Sequence, residues 1–356
     1  GTEQAQSWYN RKCESIFRSD HIFTISESVS EEFGKLLDIN EEKLVNISSA
    51  VDDRFKILGD DYLENSILSS LSVDNEYILY TGALDSRKNL SLLLESYARL
   101  KSSLRDKHSI LLVGKYDEHD KIKILTQVKK LGINKNNIVF SGYITDEQLV
   151  QLYNHAYLFV FPSKHEGFGL PVLEAMACGI PTICSNSTSL PEVMGDDAAM
   201  FDPNSVDSLY PMLERALTDQ NYRSWLKEHA GKRTKLFSWD YTAQTLLQTI
   251  ESIETHHNEV IHLDYKMLIE EIAQLANEYN FDDTTLIRIS KCISSNQIKL
   301  DKRVPTEKLN WRIEGPFDSS YSLALLNRET ARALDALGQN VVLHSTEGPG
   351  DFIPNL

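Results

Sequence analysis

The chain has 356 residues, and its 52 acidic against 36 basic side chains give a formal net charge of −16. That balance argues against a nucleic-acid-binding face, while 41% hydrophobic and 25% charged content suits a globular protein of two or three domains. No apolar run approaches the roughly 20 residues that span a bilayer. The cysteines, Cys13, Cys178, Cys184 and Cys292, lack zinc-type spacing and suit a reducing cytoplasm, with Cys178 and Cys184 expected in the core.

In chain order, Ser7 to Asp20 reads as a helix, His21 to Ser26 as a strand and Glu27 to Leu37 as a helix. Lys43 to Val51 is extended and runs into Asp52-Asp53-Arg54-Phe55. From Glu76 onward, short apolar runs alternate with amphipathic stretches. Strands are expected at Tyr77 to Thr81, Ile110 to Val113, Asn137 to Phe140, Tyr157 to Phe161, Pro181 to Cys184 and Ala199 to Phe201. Between them, Leu93, Tyr97, Leu100 and Leu104 fall on one face of a single helix; further helices run from Glu118 to Leu131 and from Asp146 to Asn154. This alternation predicts an α/β, doubly wound parallel sheet with ligands at the carboxyl ends of its strands.

The richest stretch is Ser163 to Glu192. Glu166 opens the turn Gly167-Phe168-Gly169-Leu170, Pro171 suits the first turn of the next helix, and Glu174 lies one turn inside it. Gly179 and Pro181 stop that helix. A glycine turn leading into a helix presents free N–H groups to an anion such as phosphate, and two flanking carboxylates can accept hydrogen bonds from sugar hydroxyls.

The run EGFGLPVLEAMACGIP resembles the E-x7-E signature of retaining GT-B glycosyltransferases, specifically glycosyltransferase family 4. The resemblance implies a GT-B-type, Rossmann-like donor domain with partial acceptor-domain pieces at both ends. Residues 1–55 resemble the tail of an acceptor domain, including the ISES turn and the AVDDRF crossing. Residues 56–255 would be the nucleotide-sugar donor domain, closed by a helix that follows Phe237-Ser238-Trp239-Asp240 and crosses back. Residues 256–308 read as a helical linker, whose His256, His257 and His262 either bind a metal or form a solvated connection. Residues 309–356 resemble the start of a second acceptor domain, with strands at Trp311 to Phe317 and Val341 to Ser345 around a helix from Ser320 to Leu337. The expectation is the middle of a tandem polysaccharide synthase, with little activity on its own.

By that resemblance Lys88 grips the diphosphate. Arg87 beside it supplies a second charge, because Ala83 stands where many members carry arginine after Gly82. Positive charge is unfavourable at a helix start, which an anion nearby would relieve. Glu166 is assigned to hydroxyls of the transferred sugar and to charge stabilisation, and Glu174 to the ribose. Gly114 with Tyr116, and Gly142 with Tyr143, either line the base pocket or pack on the surface; His165 is either a phosphate contact or structural. No Asp-x-Asp pair follows a strand, so no metal and no cofactor are expected beyond the nucleotide diphosphate sugar, with GDP-mannose favoured.

The expected function is hexosyl transfer, mannosyl first, to a glycan acceptor, lipid-linked or free, in surface polysaccharide synthesis. Peripheral attachment at the inner face of the plasma membrane and a polysaccharide-assembly partner accompany that reading. A non-catalytic nucleotide-binding scaffold and a GT-B phosphorylase or epimerase are the alternatives.

Overall fold

The computed structural model describes residues 16–17, 19–256, 310–315, 330–332 and 340–345. Most of the helix expected over Ser7 to Asp20, and the stretch 257–309 with His257 and His262, lie outside the described residues.

A two-stranded parallel sheet comes first, pairing β1 (Ile22–Thr24) with β2 (Leu44–Asn46) in the register Phe23 to Val45. Helix α1 (Glu27–Leu37) joins them, begun by Ser26, whose hydroxyl accepts the N–H of Val29, and ended at Asp38 in the left-handed region. An N-cap of this kind satisfies one of the orphan donors of the first turn.

The main sheet has six strands, all parallel: β3 (Glu76–Thr81), β4 (His108–Val113), β5 (Ile138–Phe140), β6 (Leu158–Phe161), β7 (Thr182–Ser185) and β8 (Met200–Phe201). Their spatial order is β5-β4-β3-β6-β7-β8. The chain therefore winds outward from β3, then returns to wind the other way from β6, as a doubly wound sheet does. Strands β4, β6 and β7 are buried along their whole length, so apolar residues run without alternation from Ile110 to Val113 and from Leu158 to Phe161, and the polar ends of β4 and β7 are buried too.

The helices around this sheet are α2 (Ser66–Ser70), α3 (Leu90–Arg99), α4 (Ser102–Lys107), α5 (Glu118–Lys130), α6 (Asp146–His155), α7 (Leu170–Ala177), α8 (Leu190–Met194), α9 (Val206–Thr218) and α10 (Gln220–Arg233). The single helix expected through Leu93 and Leu104 is two. Leu100 and Lys101 adopt extended ψ angles of 150° and 145°, breaking α3 from α4 while Leu100 stays buried. Tyr97 anchors the bend, its hydroxyl lying 2.9 Å from the Arg105 carbonyl and 2.7 Å from that of His108.

Helix α11 (Trp239–His256) leaves the main sheet and packs on the small one. Ala243 and Leu246 form a separate apolar cluster with Ile47, flanked by Phe23, Val45, Trp239, Leu247 and Ile250. Strands β9 (Asn310–Gly315) and β10 (Asn340–Ser345) form a further parallel pair, and residues 330–332 between them are helical. Cys178 and Cys184 are free and buried, as the sequence predicts; burial pushes the Cys178 thiol up to about 12.

Candidate active site

The winding reverses between β3 and β6, and the loops that leave these two strands lie side by side. Beyond β3, Gly82 donates its N–H to the Val113 carbonyl at 2.9 Å. Gly114, beyond β4, sits so close that a Cβ there would lie 2.3 Å from the Gly82 carbonyl oxygen. Only glycine permits that approach.

Next, a tight turn over Ser86–Lys88 carries the two cations. Asn89 ends it in the left-handed region, and its amide donates to the carbonyls of Pro162 at 3.0 Å and Pro203 at 2.8 Å. Lys164 N–H reaches the Arg87 carbonyl at 2.7 Å, and the Ser163 hydroxyl reaches the same carbonyl at 3.1 Å. The loop after β3 is thereby stitched to the loop after β6.

Across this seam Lys88 Nζ meets Glu166 Oε1 at 2.6 Å, and the same oxygen accepts from the Ser163 hydroxyl at 2.6 Å. The Lys88 ammonium also sits 5.3 Å from the centre of the Phe161 ring, a cation–π distance. Both members of the pair are largely sheltered, with side chains 24% and 15% exposed, so screening by water is reduced. Arg87 behaves differently. Its guanidinium forks onto Asp85 of its own turn, 2.7 Å from Oδ2, and stays mostly exposed.

The turn after Glu166 is held by a run of hydroxyls. Glu166 N–H donates to Thr188 Oγ1 at 3.0 Å, and the Ser189 hydroxyl lies 2.9 Å from the carbonyls of both Glu166 and Phe168. Ser187 adds a bond to the Lys164 carbonyl at 2.6 Å, and Ser185 one to that of Ser163. Among the described residues no protein acceptor takes the N–H groups of Gly167, Phe168 or Gly169. Gly169, at φ 113°, caps α7 without a side-chain bond. Phe168 is buried edge-to-face on Phe237 at 5.6 Å.

Glu174 points back from α7 to the Tyr153 hydroxyl, which donates to its Oε2 at 2.9 Å. Desolvation pushes the Glu174 carboxyl up to about 7, against the pull of that hydrogen bond; the carboxylates of Asp146 and Asp52 push the same way as burial, and Arg54 opposes them.

Residues 66–233 match the family model described as glycosyl transferases group 1. This stretch is similar to the glycosyltransferases of that group, and the fold is the one seen in GT-B glycosyltransferases. Among similar proteins, a serotype-specific mannosyltransferase, WbdA, from Escherichia coli is 38% identical over 251 residues, which cover 70% of this chain and 31% of the relative. The O-antigen chain mannosyltransferase B of Escherichia coli is 35% identical over 241 residues, covering 65% of this chain and 61% of the relative. The chain thus spans about a third of the first relative's length. A sucrose-phosphate synthase from Thermosynechococcus elongatus shares the fold with a TM-score of 0.59 at 23% identity, over 72% of this chain and 64% of that one. WaaG, a glycosyltransferase involved in lipopolysaccharide biosynthesis, gives 0.52 at 21% identity, over 60% and 58%.

Of the residues that the sequence singles out, the fold brings Gly82, Lys88, Gly114, Glu166 and the turn Gly167 to Leu170 to one rim. Tyr116 is buried, its hydroxyl donating to the Gly82 carbonyl at 2.5 Å and its ring edge-on to Phe140. It braces the Gly82 loop from beneath. Gly142 adopts φ 67° beyond β5, and Tyr143 next to it is 85% exposed. His165 pairs with Glu32 of α1 at 3.2 Å. Among the described residues no group of three or more His, Cys, Asp or Glu side chains is placed to hold a metal ion, and no helix is long and apolar enough to cross a membrane.

Sequence reasoning misses Asn89, Ser163 and the hydroxyls of Ser185, Ser187, Thr188 and Ser189. The signal available for them is the Ser-Asn-Ser-Thr-Ser run directly after a buried strand. A cluster of small hydroxyls reads as an ordinary loop unless the turn that it bonds is known.

Proposed function

We propose that the protein transfers a mannosyl residue from a nucleotide diphosphate sugar, GDP-mannose first, to a glycan acceptor with retention at the anomeric carbon. The observation that carries this reading is the Lys88–Glu166 pair at 2.6 Å beside a glycine turn whose N–H groups have no protein acceptor among the described residues. One cation, a set of free amide donors and a sugar-directed carboxylate thus share the rim of the strand-order reversal. Lys88 and the turn meet the diphosphate, with Arg87 able to swing from Asp85 as a second charge. Glu166 meets hydroxyls of the sugar and the positive charge that develops on its ring. Glu174 meets the ribose. The bond from the anomeric carbon to the diphosphate breaks, the acceptor oxygen bonds to the same face, and the acceptor proton leaves with the departing phosphate oxygen. The side chains supply the charge that this step requires, with no metal ion called for.

The mannosyl and polysaccharide parts of the proposal rest on the relatives, named for mannosyl transfer and O-antigen chains. From those names we infer a role in surface-polysaccharide assembly, in the cytoplasm, on a lipid-linked or free glycan. Residues 1–55 and 309–356 are proposed as pieces of acceptor domains flanking the donor domain at 56–255, with 256–308 as linker. The scaffold reading is less favoured, because a module that bound only partners would not need Lys88 and Glu166 to meet beside a turn with unused N–H groups. Calorimetric titration with GDP, UDP and ADP is the test. GDP binding that is lost on adding excess GDP-mannose supports the proposal; equal indifference to all three nucleotides refutes it.

A further inference from the structure

Helix α1 grips the peptide on both sides of Glu166. On one side, the Ser26 hydroxyl donates to the Gly167 carbonyl at 2.7 Å while accepting the Val29 N–H at 3.1 Å. Its one proton is thereby committed to Gly167, and Ser26 is 1% exposed. On the other side, His165 Nε2 stands 3.2 Å from Glu32 Oε1. A Cβ on Gly167 would already touch the Ile25 side chain at 3.4 Å, so the fit at this seam is close.

A second hold comes from Glu192. Its carboxylate accepts the N–H of Glu27 at 2.9 Å and of Ser28 at 2.8 Å, one on each oxygen, at the amino end of α1. A carboxylate there satisfies orphan donors and complements the helix dipole. Glu192 belongs to the same short segment as Thr188 and Ser189, which hold the N–H and carbonyl of Glu166. One segment therefore holds both the peptide of Glu166 and the start of α1.

We propose that Ser26 and Glu192 are positioning residues for Glu166, locking α1 onto its turn so that the β1–α1–β2 unit aims the carboxylate together with the main sheet. This rests on the reading of Glu166 as the group that meets the transferred sugar. Generic packing between two units would spread its polar contacts along the seam. Here two of them flank a single carboxylate, and the other two come from the segment that holds that carboxylate's own peptide.

The test uses Ser26→Ala, Ser26→Thr and Glu192→Gln in the intact protein. Small misplacement of a reacting group costs turnover more than binding, so Ser26→Ala and Glu192→Gln are expected to lower kcat about tenfold with donor KM held within about twofold. Ser26→Thr, which keeps the hydroxyl, regains most of the turnover. In the ligand-free protein, amide hydrogen exchange over residues 163–169 quickens in both deleterious variants and not in Ser26→Thr. Unchanged exchange over that stretch overturns the inference, as does equal loss of kcat in Ser26→Ala and Ser26→Thr. Should Ser26→Ala fail to fold, Glu192→Gln, at a half-buried position, decides alone. A full-length wild-type enzyme, with both acceptor domains, that transfers no sugar sinks the functional reading instead, and the exchange result then decides the positioning on its own.

Discussion

Lys88 Nζ and Glu166 Oε1 lie 2.6 Å apart although 78 positions separate them in the chain, and Ser163 completes the contact with its own bond to the same oxygen. The cation and the carboxylate neutralise each other across the reversal point of the sheet. On the proposed reading, a diphosphate arriving there would offer Lys88 a more highly charged partner and free Glu166 to turn towards the sugar. Lys88→Ala is therefore expected to lose about 2–4 kcal/mol of transition-state stabilisation, read as a fall in kcat/KM. Glu166→Gln keeps a hydrogen-bonding group beside Ser163. It should bind nucleotide within a few-fold of wild type by calorimetry while losing turnover steeply.

Arg87 supplies a contrast on the same turn. Its guanidinium is exposed and already bonded to Asp85, which raises its pKa further through that hydrogen bond. An exposed pair of this kind contributes little to stability. Arg87→Ala should leave thermal stability almost unchanged. Its loss of kcat/KM should be clearly smaller than that of Lys88→Ala, and an equal loss would place Arg87 on the diphosphate as firmly as the lysine.

Glu174 links pH to both stability and binding. Burial holds its carboxyl at about 7, above the ordinary carboxylate value of 4.5. The folded state thus binds the proton more tightly than the unfolded state. Its stability contribution is intact below the unfolded pKa and declines as pH rises between the two values, levelling off above about 7. Glu174→Gln should remove that decline, stabilising the protein at about pH 8 by roughly 1–3 kcal/mol and hardly at all near pH 4, as read by denaturant unfolding. On the proposed reading, ribose hydroxyls bond more strongly to the ionised carboxylate than to its neutral form. Donor affinity in the wild type should therefore strengthen from about pH 6 to about pH 8, and a flat profile would remove Glu174 from the ribose.

Much of this architecture is legible in the sequence. Buried parallel strands have to be nearly continuous apolar runs, so β4, β6 and β7 stand out, and the glycines beside them mark where backbones approach. The expected segment Glu27 to Leu37 coincides with α1 because Ser26 is an unambiguous cap. The break at Leu100 is not legible: Leu100 and Leu104 keep helical spacing while the backbone between them extends, a choice made by the Tyr97 hydroxyl and the entry to β4. At the site, the charged groups announce themselves by type. The Lys88–Glu166 contact depends on strand order, and the hydroxyl brace on a turn 20 or so residues away, so pattern alone reveals neither. The role of Tyr116 as a buried prop is hidden for the same reason, since a tyrosine after a strand reads equally well as a surface ring.

Gly114 offers a test of the close approach that brings the β3 and β4 loops together. With a Cβ 2.3 Å from the Gly82 carbonyl oxygen, neither backbone can give without displacing the Gly82 N–H bond to Val113. Gly114→Ala should destabilise by about 1–3 kcal/mol, the usual cost of overpacking, with weakened nucleotide binding because the Lys88 loop moves with Gly82. Normal stability by denaturant unfolding would mean that the two loops are looser than this contact requires.

Leu246 tests whether α11 holds the small sheet in place. It is 9% exposed and packs with Ile47 and Ala243, in an apolar cluster separate from the main core. Trimming a buried leucine removes its transfer free energy and leaves a cavity that neighbours only partly fill. Because the cluster is small and its rim is half-exposed, Leu246→Ala should cost about 2 kcal/mol, the lower end of the usual range. The loss should be local. Amide exchange should rise in β1 and β2, whose register partners Phe23 and Val45 flank the cluster, and stay slow in β4 and β6. Since α1 sits between β1 and β2 and bonds the Glu166 turn, turnover should fall with it while nucleotide affinity holds. Equal loosening of both sheets would instead make the two clusters one cooperative unit.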